Sequence, residues 1–100
     1  MPRQNERYSY LKEVELHFAS GKRSARISDI SLGGCYIDTI AQVPVGESLT
    51  LQIASTSGEA MEFHGKVAYV LDGFGFGIEF VNLTDQQREF LSGLVTSASS

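Results

Sequence analysis

Apolar residues occupy every second position along most of this chain, and that period decides what it can fold into. Over 13–18, Val14, Leu16 and Phe18 alternate with Glu13, Glu15 and His17. Over 48–53, Leu49, Leu51 and Ile53 alternate with Ser48, Thr50 and Gln52. Over 61–69, Met61, Phe63, Val67 and Tyr69 alternate with Glu62, His64, Lys66 and Ala68, and over 74–80, Phe74, Phe76, Ile78 and Phe80 alternate with Gly75, Gly77 and Glu79. Successive side chains of a strand point to opposite faces, so each segment has one face for a core and one for water. Ser20-Gly21, Gly33-Gly34, Pro44 to Gly46, Ser57-Gly58 and Asp72-Gly73 separate the segments with turn chemistry. About six short strands at this spacing predict an all-β antiparallel barrel or sandwich, and a barrel also removes exposed edges.

One segment departs from that period. Thr84, with Gln87 three residues on and Asp85 in the first turn, reads as a capping box, and Phe90, Leu91, Leu94 and Val95 mark one helical face. A C-terminal helix over about 84–96 is predicted as a plug or lid on the sheet. Residues 1–9 have no clear period and read as an arm leading into the first strand. Residues 10–96 then form the barrel with its helix, and residues 97–100 are expected to fray.

A chain of 100 residues builds one core. No apolar run approaches the ~20 residues of a membrane span, and MPRQNERYSY lacks the apolar stretch of a signal peptide, so the expected location is the cytoplasm. Cys35 has no second cysteine for a disulfide, zinc or redox motif and is expected to be a small core residue. The net charge of −4 disfavours nucleic-acid polymers and anionic membranes. It is unevenly spread: residues 1–26 hold six basic and three acidic side chains, residues 27–100 two basic and nine acidic. A basic start of this kind suits a local grip on a small anion, and equally a solvated surface.

The alternation fails in RISDISLGGCYI, residues 26–37, where Ile27 and Ile30 stand three apart. A strand that loses its period there is ending, bending or bulging. Asp29, Ser31 and two glycines fall at that point, and D-x-S-x-x-G reads either as a small polar cup at a strand end or as an Asx or Ser turn closing a hairpin. A second pattern is Arg3-x-x-x-Arg7. A guanidinium fork bonds O6 and N7 of guanine, stacks on rings and pairs with phosphate, and an Asp suits the donor side of the guanine edge. The two patterns are complementary to a guanine nucleotide; a basic tail without a ligand fits the arginines alone.

R-x-x-x-R near the start, then D-x-S-x-x-G about twenty residues later, resembles the paired signatures of PilZ domains, here Arg3 and Arg7 with Asp29, Ser31 and Gly34. VPVGESLTLQI at 43–53 is similar to that family's P-x-G turn and following strand, and GFGIEFVNLTDQQREFL at 75–91 to its last strand and the start of its helix. The resemblance covers nearly the whole chain. It implies a six-stranded antiparallel barrel with a flexible N-terminal arm that wraps cyclic di-GMP against the barrel. Arg3 and Arg7 would then contact guanine and phosphate, Asp29 would accept from a guanine edge, Ser31 would give a hydroxyl hydrogen bond, and Gly34 would keep the turn open to close approach. It further implies a receptor or adaptor that does no chemistry and signals to a protein partner; the residues leave open whether the chain is a monomer or a homodimer. The alternative is an interaction adaptor in motility or pilus assembly with weak or no nucleotide binding.

Other signals point away from catalysis, cofactors and metals. His17 and His64 fall on expected outer faces beside glutamates and read as surface residues. Gly73 to Gly77 lacks the strand–helix context of a phosphate loop; glycines opposite aromatics on a curved strand explain it better. Phe74, Phe76 and Phe80 follow the core face, so they are not read as a base-stacking platform. An oligonucleotide-binding or SH3-like barrel is disfavoured by the net charge. The chain is expected to show no salt-sensitive binding to single-stranded DNA. An oligonucleotide titration at ~50 and ~200 mM salt checks this, since a phosphate-tracking protein loses roughly 10³-fold or more over that interval.

Overall fold

The computed structural model describes residues 8–54 and 58–99, with side chains as far as Thr96. The alternating segments are strands: β1 (Tyr8–Phe18), β2 (Gly21–Ile30), β3 (Gly34–Asp38), β4 (Ser48–Ala54), β5 (Ala60–Leu71) and β6 (Gly75–Phe80), followed by the helix α1 (Asp85–Ser99). Each strand pairs antiparallel with its neighbours, and they close in the order β1-β2-β3-β6-β5-β4. Closure leaves no free sheet edge, which is the economical solution for a chain made of short half-apolar strands.

The inward residues are the ones the period selects. Leu16, Ile27, Ile37, Leu51, Ile53 and Phe76 have no exposed surface, and neither does Cys35. Phe63 holds the helix end of this core. Its ring lies 5.1 Å from that of Phe80 and 5.9 Å from that of Phe90 on α1, distances at which tilted aromatic pairs add to burial. Leu91 and Leu94 bury the rest of the helix's apolar face, and α1 rests on β1 and β5. The capping box forms in full: the Thr84 hydroxyl accepts from Gln87 N–H at 3.1 Å, and the Gln87 side-chain carbonyl accepts from Thr84 N–H at 2.8 Å. The Gln87 amide also donates to the Glu62 carbonyl at 2.8 Å, tying the helix start to β5.

Four details differ from the expectation. Tyr8 and Ser9 already belong to β1, so the strand starts inside the expected arm. The helix runs to Ser99, beyond the expected end at 96, because the Ser- and Ala-rich segment after Leu94 contains no proline or glycine to stop it. Phe74, expected in the core, is 73% exposed: it closes the β5–β6 turn, its N–H donating to Leu71 and its carbonyl accepting from Thr39. Tyr69, also expected on the core face, is partly exposed, because the β5–β6 ladder slips by one residue between Val67 and Tyr69. Such a bulge moves every following side chain to the opposite face. Val70 takes the inward place instead.

No helix among the described residues is long and apolar enough to cross a membrane. Phe63→Ala is expected to cost ~3–5 kcal/mol as a core cavity, and Thr84→Ala ~1 kcal/mol as a lost cap. Urea unfolding followed by circular dichroism ranks the two, and the packing described for Phe63 requires the larger loss there.

Candidate functional site

Asp29 owes its position to a bulge. In the β2–β3 ladder Ile27 pairs with Ile37 and Asp29 with Tyr36, so Ser28 is one residue more than its partner strand supplies. The surplus resets the alternation: Ile27 and Ile30 are both fully buried although three apart, and Asp29 sits on the outer face, partly exposed. The broken period of the sequence is this bulge.

The turn after β2 is held from within by Ser31. Its N–H donates to the Gly34 carbonyl at 2.8 Å. Its hydroxyl accepts from Gly33 N–H at 3.2 Å and Gly34 N–H at 3.1 Å, and itself donates to the Gly34 carbonyl at 3.2 Å. The side chain is almost wholly buried. With one donor and two acceptor positions filled, the hydroxyl is spent inside the turn, so Ser31 is a structural lock rather than a group presented outward. Of the two readings of D-x-S-x-x-G, the turn therefore describes Ser31. Gly34 serves a close approach too, but to protein: a Cβ there would run into the Ile78 carbonyl of β6. The Gly33 carbonyl accepts from Phe80 N–H at 2.9 Å, fastening the turn to the end of β6.

The ladders place more than Asp29 on this surface. Ser9 pairs with Asp29, Asp29 with Tyr36, Tyr36 with Gly77, and Gly77 with Tyr69. These five residues form one row across β1, β2, β3, β6 and β5. The Tyr36 and Tyr69 rings lie 6.2 Å apart, tilted by 30°. The Tyr69 ring covers Gly77 so closely that a Cβ at Gly77 would run into it. Sequence reasoning missed both tyrosines. The signal was present, since Val67 and Val70 stand three apart as Ile27 and Ile30 do, but the continuing alternation before it hid the slip.

Arg3 and Arg7 lie outside the described residues. The described chain begins at Tyr8. Tyr8 pairs with Ile30, the last residue before the Ser31 turn, and Ser9 pairs with Asp29. On the same strand, the Tyr10 hydroxyl donates to the Ala54 carbonyl at 3.0 Å, and burial raises its pKa above the ordinary tyrosine value.

A groove of about 930 Å³ is lined among others by Glu13, Arg26, Asp38, Ile40 and Phe74. It contains none of Asp29, Ser31 and Gly34, and its acidic rim is a poor match for an anion. His17 and His64 are exposed, with His17 Nε2 2.9 Å from a carboxylate oxygen of Glu15. Among the described residues no three of His, Cys, Asp and Glu are grouped to hold a metal ion.

The family model described as PilZ domain matches residues 2–97. No curated protein matches the chain. Solved structures share its fold at low identity. The PilZ domain of CeSA from a cellulose-synthesizing bacterium gives a TM-score of 0.73 at 19% identity, covering 95% of this chain and 99% of that one. The PilZ domain of YcgR from Escherichia coli, solved with c-di-GMP, gives 0.78 at 17% identity over 99% and 92%. The Bacillus subtilis inhibitor of motility, MotI/DgrA, gives 0.84 at 16% identity; 99% of this chain covers 52% of that one.

Ser31→Ala is expected to cost ~1–3 kcal/mol, because it leaves two amide N–H groups of a near-buried turn without an acceptor. Urea unfolding in the absence of any nucleotide measures it. An unchanged midpoint would show that the hydroxyl does not hold the turn.

Proposed function

Because the chain belongs to the PilZ domain family, we propose that it is a receptor for cyclic di-GMP that acts by binding and not by catalysis. One observation carries the reading: the pairing of Tyr8 with Ile30 and of Ser9 with Asp29 joins the segment bearing Arg3 and Arg7 to the barrel directly beside Asp29. Tyr8 and Ile30, far apart in sequence, thus pair where β1 begins and β2 ends. Two related folds add support, since the YcgR domain and the Borreliella burgdorferi PlzA protein were each solved with c-di-GMP.

In this proposal residues 1–7 form the ligand-binding arm, in place of the 1–9 expected from sequence, and residues 8–96 the barrel with its helix. Arg3 and Arg7 contact guanine and phosphate, where a planar fork of donors offers both bidentate hydrogen bonds and charge. Asp29, outward beside the bulge, accepts from the N1 and N2 hydrogens of a guanine. Ser31 and Gly34 contribute through the turn they close, which fixes Asp29 against the start of β1. Ligand binding orders the arm across the barrel, and a protein partner in the cytoplasm reads the changed surface. A homodimer bridged by ligand is compatible with this arrangement.

Titration calorimetry with cyclic di-GMP tests the proposal and gives the stoichiometry from the same curve. The wild-type chain should bind, and Arg7→Ala and Asp29→Ala should each lose ~1–3 kcal/mol, roughly 5- to 150-fold in affinity, as expected for a bidentate contact. No binding at high micromolar ligand would overturn it.

A further inference from the structure

The outer row beside Asp29 ends in two aromatic rings whose placement the core does not require. Two bulges place Asp29 and Tyr69 in the row. The surplus residue Ser28 in β2 turns Asp29 outward, and the surplus residue Ala68 in β5 turns Tyr69 outward. Between them lie β3 and β6, on which Tyr36 and Gly77 face the same way. Without the β5 bulge, Tyr69 would fall on the inner face and the row would end at Gly77.

Gly77 is the second requirement. Lacking a Cβ, it lets the Tyr69 ring lie down over β6, beside Tyr36, with ring centres 6.2 Å apart and planes 30° from parallel. With the Tyr69 ring over Gly77 and Tyr36 paired with Gly77 on the next strand, the two rings are neighbours on the outer face. They make a floor on the barrel surface, bounded on its β2 side by Asp29, whose backbone lies one strand spacing, ~4.8 Å, from that of Tyr36. An aromatic floor with a carboxylate at its edge suits a planar heterocycle that stacks by its face and donates hydrogen bonds from its rim. Guanine does both.

We propose that Tyr36 and Tyr69 form a stacking floor for a guanine base whose edge is held by Asp29. The inference rests on the receptor reading above and deepens it by assigning the surface that takes the face of the base. The arginines and Asp29 supply charge and edge contacts; the tyrosines supply stacking, which every aromatic ring retains and an aliphatic side chain of similar bulk does not.

The experiment follows from that difference. Cyclic di-GMP is titrated into the wild-type chain and into Tyr36→Leu, Tyr69→Leu and Tyr69→Phe. Each leucine variant is expected to weaken binding ~10-fold, within the range for loss of one base–aromatic stack, while Tyr69→Phe stays within about threefold of wild type. Wild-type binding with unchanged affinity in both leucine variants overturns the floor and leaves the receptor reading standing. Absence of wild-type binding overturns both. Should the leucine variants fail to fold, proton NMR of the wild-type complex decides. An upfield shift of guanine H8 with cross-relaxation to tyrosine ring protons supports the floor, and its absence overturns it.

Discussion

Two surplus residues decide what this barrel shows on its outside around Asp29 and Tyr69. An unbroken strand fixes the face of every side chain once one is known to be buried, so a barrel of regular strands has an outer surface dictated by its core. The bulges at Ser28 and Ala68 remove that dictation locally. On β2 the core still receives Ile27 and Ile30, and on β5 it still receives Val67 and Val70. The residues in between are freed to face outward at positions that strict alternation would have turned inward. Core packing and site geometry are thereby satisfied by the same strands.

The turn at Ser31 makes the outward placement durable. A loop at a strand end exposes amide groups that need partners, and here one hydroxyl serves two of them while bonding the carbonyl across the turn. Gly34 then allows β3 to press against the Ile78 carbonyl, and the Gly33 carbonyl joins the turn to Phe80. The motif D-x-S-x-x-G thus divides its labour. Asp29 faces outward, while Ser31 and Gly34 hold the backbone that keeps it there.

Much of this was legible in the residues. The six strands, the helix with its capping box, the buried Cys35 and the irregularity near Asp29 all have local causes: a period of two, a period of 3.6, or a turn-forming pair. What was misplaced has a common origin. The alternation, continued across a point where pairing with another strand interrupts it, turns Phe74 and Tyr69 inward. Phe74 sits in a turn defined by its bonds to Leu71 and Thr39, and Tyr69 follows a slip against β6. The spacing of Val67 and Val70 hints at the slip, but only the pairing with β6 locates it, since a bulge is a mismatch between two strands.

The sequence by itself determined the class of fold, the number and order of its elements, and the paired arginine and Asp-Ser-Gly patterns that resemble PilZ domains. Those depend on spacing along one chain. Only the tertiary structure decided that Ser31 is spent within its turn, that β1 begins beside Asp29, and that Tyr36 and Tyr69 share its row over Gly77. These depend on which strand neighbours which and in what register, and register is set by the closure of the whole barrel. The break between Ile27 and Ile30 belongs to both: its position was written in the sequence, and its meaning came from the strand opposite.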